Sequence, residues 1–154
     1  MASKKVSKDT PLAEITLRKY EKPSGLKGRE LIKKLCLSLG LLQPGDSRDV
    51  VVDVLHSLVK SKDYLSAVEI EEKVKQLRRE SNIPLIGVAS SNIRRQLKRI
   101  KDLHLIERIG NEYRINEGAK LSEIFNEKIK NFVIHSISER VREYIEAVEK
   151  ERNG

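Results

Sequence analysis

Between Arg29 and Leu39 the apolar residues Leu31, Ile32, Leu35, Cys36 and Leu39 return on one side of a helical repeat, and Gly40 is placed to end that helix. After the turn residues Pro44 and Gly45, a second helix opens at "GDSRD", where Asp46 or Ser47 can cap its free N–H groups. Its apolar face is Val51, Val54, Leu55 and Leu58, and it should end near Ser61 to Asp63. A third helix begins at Ser66. Glu69, three residues on, completes a capping box, and Ile70, Val74 and Leu77 supply the apolar stripe. Asn82 and Pro84 break that pattern. A fourth helix is expected from Ala89 to Leu103, with Ile93, Leu97 and Ile100 on one side. Then "LIERI", "GNE" and "YRIN" read as strand, tight turn and strand, because Gly110 and Asn111 tolerate the backbone of a short hairpin.

Residues 119–151 form one long helical pattern whose apolar face changes partway. Leu121, Phe125, Ile129 and Phe132 make a first stripe. Ile137, Val141, Tyr144 and Val148 make a second, turned by about half a revolution on an ideal helix. Between them Ser136 and Glu139 repeat the capping-box spacing, so either the helix kinks there or one continuous helix serves two partners. The second stripe is spaced 4, 3, 4, as coiled-coil positions are. Its expected partner is a second copy of the chain, giving a homodimer. The alternative is an internal pair with the Arg29–Leu39 helix.

Charge adds a second layer. The chain has 154 residues with 31 Lys+Arg against 23 Asp+Glu, a formal net charge of +8. Residues 1–62 carry 13 basic and 7 acidic side chains, whereas residues 118–154 carry 7 of each. Such a balance favours polyanions, nucleic acid before anionic membrane. The first 27 residues, with Pro23, Gly25 and Gly28 among lysines, read as a flexible basic arm. No apolar run approaches the roughly 20 residues that cross a bilayer, and no secretory signal is visible. With a single cysteine, Cys36, the expected setting is soluble and cytoplasmic.

The fourth helix concentrates the basic chemistry. With Ile93, Leu97 and Ile100 turned inward, Ser91, Arg95, Lys98 and Arg99 fall on the opposite face, flanked by Asn92 and Arg94. No acid occurs between Val88 and Lys101. Arginine can donate two hydrogen bonds to guanine, and asparagine can pair with adenine. Asn92 and Arg95 are therefore the candidate base readers. Ser91, Arg94, Lys98 and Arg99 are assigned mainly to phosphates, and Ser90 is counted among the DNA-binding candidates. A solvated helix face, however, usually mixes signs, and a basic face alone can be solubility chemistry.

Helix, capped helix, short loop, basic helix and two-stranded hairpin over Asp46 to Asn116 resembles a winged helix-turn-helix domain. The closest correspondence is "SSNIRRQLKRIKDLHLIERIGNEYRI", which looks like a recognition helix followed by its wing; "YLSAVEI" resembles the start of the helix before the turn. His104 stands where such proteins usually have glycine. The expected fold is mainly α: a winged helix-turn-helix domain of three helices and a two-stranded wing over 44–117, an added helix over 28–43 and a long C-terminal helix over 118–154. The resemblance implies that the fourth helix enters the major groove of double-stranded DNA and that the hairpin tip approaches a flanking phosphate or the minor groove, with Arg108, Asn111 and Arg114 as the wing's candidate contacts. The function expected is sequence-specific DNA binding as a transcriptional regulator. A protein-binding adaptor and a non-specific architectural DNA binder are the alternatives.

Catalytic constellations are not apparent, and no enzyme activity is expected. His56, His104 and His135 lie on separate elements with no second ligand nearby, so neither a metal nor another cofactor is expected. Cys36, within "LCLSL", reads as a small core residue. No small-molecule effector can be named.

Overall fold

A computed structural model describes residues 8–154; the first seven residues of the N-terminal arm lie outside them. The described residues are mainly helical with a small antiparallel sheet. Helix α1 spans Gly28–Ser38, α2 Val50–Lys60, α3 Ala67–Glu80 and α4 Ser90–Asp102. Strand β1 (Leu65–Ser66) precedes α3, and β2 (Ile106–Ile109) and β3 (Glu112–Ile115) form the hairpin after α4. The strand order is β1-β3-β2, with Leu65 opposite Tyr113 and Arg108 opposite the same tyrosine on the other side.

That sheet corrects the expectation of a two-stranded wing. Leu65 is extended and buried, and it pairs with β3 before Ser66 caps α3. Two residues carry no periodicity of their own, which is why the sequence pattern merged this strand with the helix start. The capping box forms as expected: Glu69 N–H donates to Ser66 Oγ at 3.1 Å, and Ser66 N–H donates to Glu69 Oε1 at 3.0 Å.

Helix α2 is the centre of the molecule. Beyond the expected Val51, Val54, Leu55 and Leu58, it buries Val50, Val52, Asp53 and Ser57, because α1, α3, α4 and β3 surround it. Ile70 and Val74 of α3, Ile93, Leu97 and Ile100 of α4, and Leu105, Ile106 and Tyr113 of the sheet region close the same core. Cys36 is fully buried there, and burial pushes its thiol up to about 12, so it stays protonated and inert. The start of α2 differs from expectation. Neither Asp46 nor Ser47 caps it; Asp46 instead accepts from the backbone N–H of Arg48 at 2.9 Å, and the N-cap position falls on Asp49.

Asp49 makes no side-chain cap bond, because two arginines hold its carboxylate. Arg78 donates to Asp53 at 2.8 Å and to Asp49 at 3.1 Å, while Arg29 reaches Asp53 at 2.9 Å and Asp49 at 3.0 Å. Asp53 and Arg78 are buried, and Arg78 Nε also donates to Pro84 O at 2.8 Å. Burial would push the Asp49 carboxyl up, but the arginine hydrogen bonds outweigh it and hold the group below its ordinary value. Two anions and two cations thus tie α1, α2, α3 and the loop before α4 together.

The segment before α1 lies along it. Arg18 N–H donates to Ser38 O at 2.9 Å, and its guanidinium donates to Leu37 O at 2.8 Å and to Gln43 Oε1. Gly40 has φ +72, and a Cβ built there would stand 2.8 Å from Thr16 Cβ, so this close approach requires glycine.

Leu121–Asn153 is helical throughout. It comprises α5 (Leu121–Ile124), a π-helical stretch (Phe125–Ile134) and α6 (His135–Asn153), and the junction residues Phe125 and Ile134 keep right-handed helical angles. The chain therefore does not restart at Ser136, which sits inside α6. Ile124 and Ile129 are buried and Ile134 packs partly on the core, a spacing of five that matches π-helical winding. Phe132, expected on this stripe, is exposed because the wider winding turns it away.

Candidate nucleic-acid interface

Helix α4 is amphipathic in the expected phase: Ile93, Leu97 and Ile100 are buried and Ser91, Arg94, Arg95, Lys98 and Arg99 face solvent. The backbone of Ala89 is extended, so α4 starts sharply after a loop whose Gly87 has φ +77. His104, at φ +67, closes the other end in the left-handed conformation that its position demands.

The ten residues assigned to DNA from the sequence divide into three groups. On the side of α4 toward α2, a relay of side chains is already engaged. Asn92 Nδ2 donates to Gly87 O at 2.7 Å, and its Oδ1 accepts from Gln96 at 3.1 Å. Arg99 donates to Gln96 Oε1 at 2.7 Å and to Leu41 O at 2.6 Å. Asn92 and Arg99 thereby fasten α4 to the loop before it and to the chain after α1.

The outward face holds the free groups. The side chains of Ser91, Arg94 and Arg95 make no hydrogen bond or ion pair among the described residues. Lys98, further along, pairs with Asp102 at 2.8 Å, but both are well exposed, so the pair is weak and can exchange partners. Ser90 donates to Glu71 Oε2 at 2.8 Å across to α3.

The hairpin makes the third group. Arg108 folds back on its own turn, donating to Gly110 O at 2.8 Å and to Asn111 Oδ1 at 3.4 Å. Arg114 is held more tightly: it donates to Glu107 at 2.6 Å and lies over the Tyr64 ring at 4.4 Å. That hydrogen bond keeps the Glu107 carboxyl below its usual range. Arg94, Arg108 and Asn111 meet at a small recess with Ser66, Val68 and Tyr113, so the hairpin tip, the start of α3 and α4 share one face.

A larger groove of about 770 Å³ flanks the other side of α4. Arg48, Arg95, Arg99 and Asp49 line it together with Ile83 and Pro84. Sequence reasoning missed this groove and the buried Arg78 beneath it. The only available signal was an arginine directly after Leu77 on a helix otherwise polar at that turn, which does not distinguish a buried cation from a solvated one. The histidines stay apart, and among the described residues no three potential ligands cluster for a metal. No described helix is long and apolar enough to cross a membrane. Compared with known proteins, the chain matches no family model, no curated protein and no solved structure.

Proposed function

We propose that the chain is a winged helix-turn-helix protein that binds double-stranded DNA sequence-specifically, as a transcriptional regulator, with α4 lying in the major groove. The observation that carries the reading is the outward face of α4, where the side chains of Ser91, Arg94 and Arg95 have no partner among the described residues and no acid precedes Asp102 on the helix. An arginine left unpaired on a core-anchored helix keeps its guanidinium donors available to an external acceptor. The order helix, strand, helix, helix, hairpin, with β1 closing on β3, supports the fold part of the proposal. The engaged amide of Asn92 moves the base-reading role to Arg95, with Arg94, Ser91 and Lys98 on phosphates. Arg108 and Asn111 at the hairpin tip would approach the flanking backbone. Arg114 would act there through its hold on Glu107.

Titration of labelled duplexes at two salt concentrations tests this. Phosphate contacts give a log–log salt slope of about 0.9 per neutralised phosphate. Arg95→Ala is expected to relax selectivity at one base pair by about 1–3 kcal/mol, whereas Arg94→Ala weakens all sequences alike. Salt-sensitive binding with no sequence preference would replace the regulator reading with an architectural one. No binding at low salt would overturn DNA binding and leave the protein-adaptor reading.

A further inference from the structure

Helix α6 carries an apolar stripe that nothing in the described chain covers. Of its 19 residues only Ile137 is partly shielded; Val141 is 53% exposed, Tyr144 71% and Val148 67%. About 28 Å of helix therefore runs clear of the body at 1.5 Å per residue. The direction of the stripe follows from Ile134, which packs on the core. From there at about 100° per residue, Ile137, Val141, Tyr144, Ile145 and Val148 all fall between roughly −80° and +20°. The overhanging stripe thus continues the side of the helix that faces the body.

We infer that α6 pairs with α6 of a second copy, and that the pair is antiparallel. Paired helix axes lie about 8–10 Å apart. In a parallel, in-register pair, residues 121–134 of the second copy would have to occupy the volume filled by the first copy's own body, since body and stripe share a side. Running the second helix the other way removes the conflict. Its C-terminal half covers the first stripe, and its body lies beyond the first helix's end. Val141 of one copy then faces Tyr144 of the other, and Ile137 faces Val148.

Charge disfavours a polyanion as the occupant and permits a second copy. Residues 135–153 hold five acidic and four basic side chains, and Arg140 and Arg142 are offset by Glu143, Glu139 and Glu146 on the same helix. A surface without net positive charge attracts neither nucleic acid nor anionic lipid. It is compatible with its own copy, and the unpaired overhang is one helix long on both sides of the contact. A contact of this length buries on the order of 1,000 Å² in total, at the low end for specific interfaces, so dissociation in the micromolar range is expected.

Sedimentation equilibrium of the full chain, without DNA, tests the pairing independently of the nucleic-acid proposal. The chain is expected to be a concentration-dependent dimer. Val141→Glu, at an exposed position, should keep its helical circular dichroism and weaken association at least tenfold. Oxidative cross-linking then tests direction, with Cys36 buried and silent. Ile137→Cys alone should remain uncross-linked, because its copies sit about 16 Å apart along the pair. Ile137→Cys combined with Val148→Cys should give a covalent dimer. A chain that stays monomeric into the hundred-micromolar range, or a Val141→Glu variant that dimerises normally, overturns the pairing. Cross-linking of the single variant overturns the antiparallel arrangement.

Discussion

His104 closes α4 at φ +67, where a Cβ crowds the following carbonyl. Its side chain is exposed, while its carbonyl accepts a hydrogen bond from Asn116. The imidazole therefore contributes little that would offset the backbone cost. His104→Gly is expected to stabilise the fold by about 0.5–1 kcal/mol, and His104→Val to destabilise it by more, because β-branching worsens the same crowding. Thermal melts of the two variants check both signs; a glycine variant no more stable than the parent would show that the side chain has a role there. The left-handed conformation was legible in the sequence, since His104 stands where the winged helix-turn-helix resemblance places a glycine that closes the helix. Ile93, Leu97 and Ile100 were legible because their spacing admits one inward face. Asn92 was not. Its residue type suits adenine, but Gly87 O and Gln96, which take its amide, are brought near only by the turn before α4.

The ion pairs that join α1, α2 and α3 act on the scale of whole elements. Arg78 and Asp53 are buried on different helices, and Arg29 and Asp49 complete a set of balanced charge. Removing Arg78 leaves two carboxylates, one of them the buried Asp53, to share the single cation Arg29. Arg78→Leu is expected to cost about 3–5 kcal/mol, measured by urea unfolding. A double variant, Arg78→Leu with Asp53→Leu, should recover part of that loss, because Arg29 and Asp49 then remain as a balanced pair. Equal, additive losses would mean that the two side chains do not act together. The sequence conveyed the four principal helices and the hairpin, because each has its own period. It did not convey the sheet's third strand, which is two residues long, nor the π-helical stretch. On an ideal α-helix the two C-terminal stripes point opposite ways. Ten residues wound at about 80° instead of 100° lag by roughly half a turn, which brings both stripes to the same side.

At the scale of the whole molecule, charge and apolar surface are separated along the chain. The positive balance lies before residue 118, and the uncovered apolar stripe lies after residue 134. Binding to DNA and pairing of copies would therefore use different surfaces and can be disrupted independently. If two copies are joined through α6, a duplex of about three helical turns with two sites engages both at once, and the second contact forms at a high effective concentration. Val141→Glu is then expected to bind a single-site duplex as well as the parent does, yet to lose about 10- to 100-fold on the two-site duplex. Its salt slope on the longer duplex should fall to about half that of the parent, since one copy neutralises half as many phosphates. Anisotropy titrations on both duplexes give all of these quantities. Equal affinity and slope for the two proteins on the two-site duplex would mean that the copies bind separately even when paired. The α6 contact would then serve a purpose other than DNA recognition.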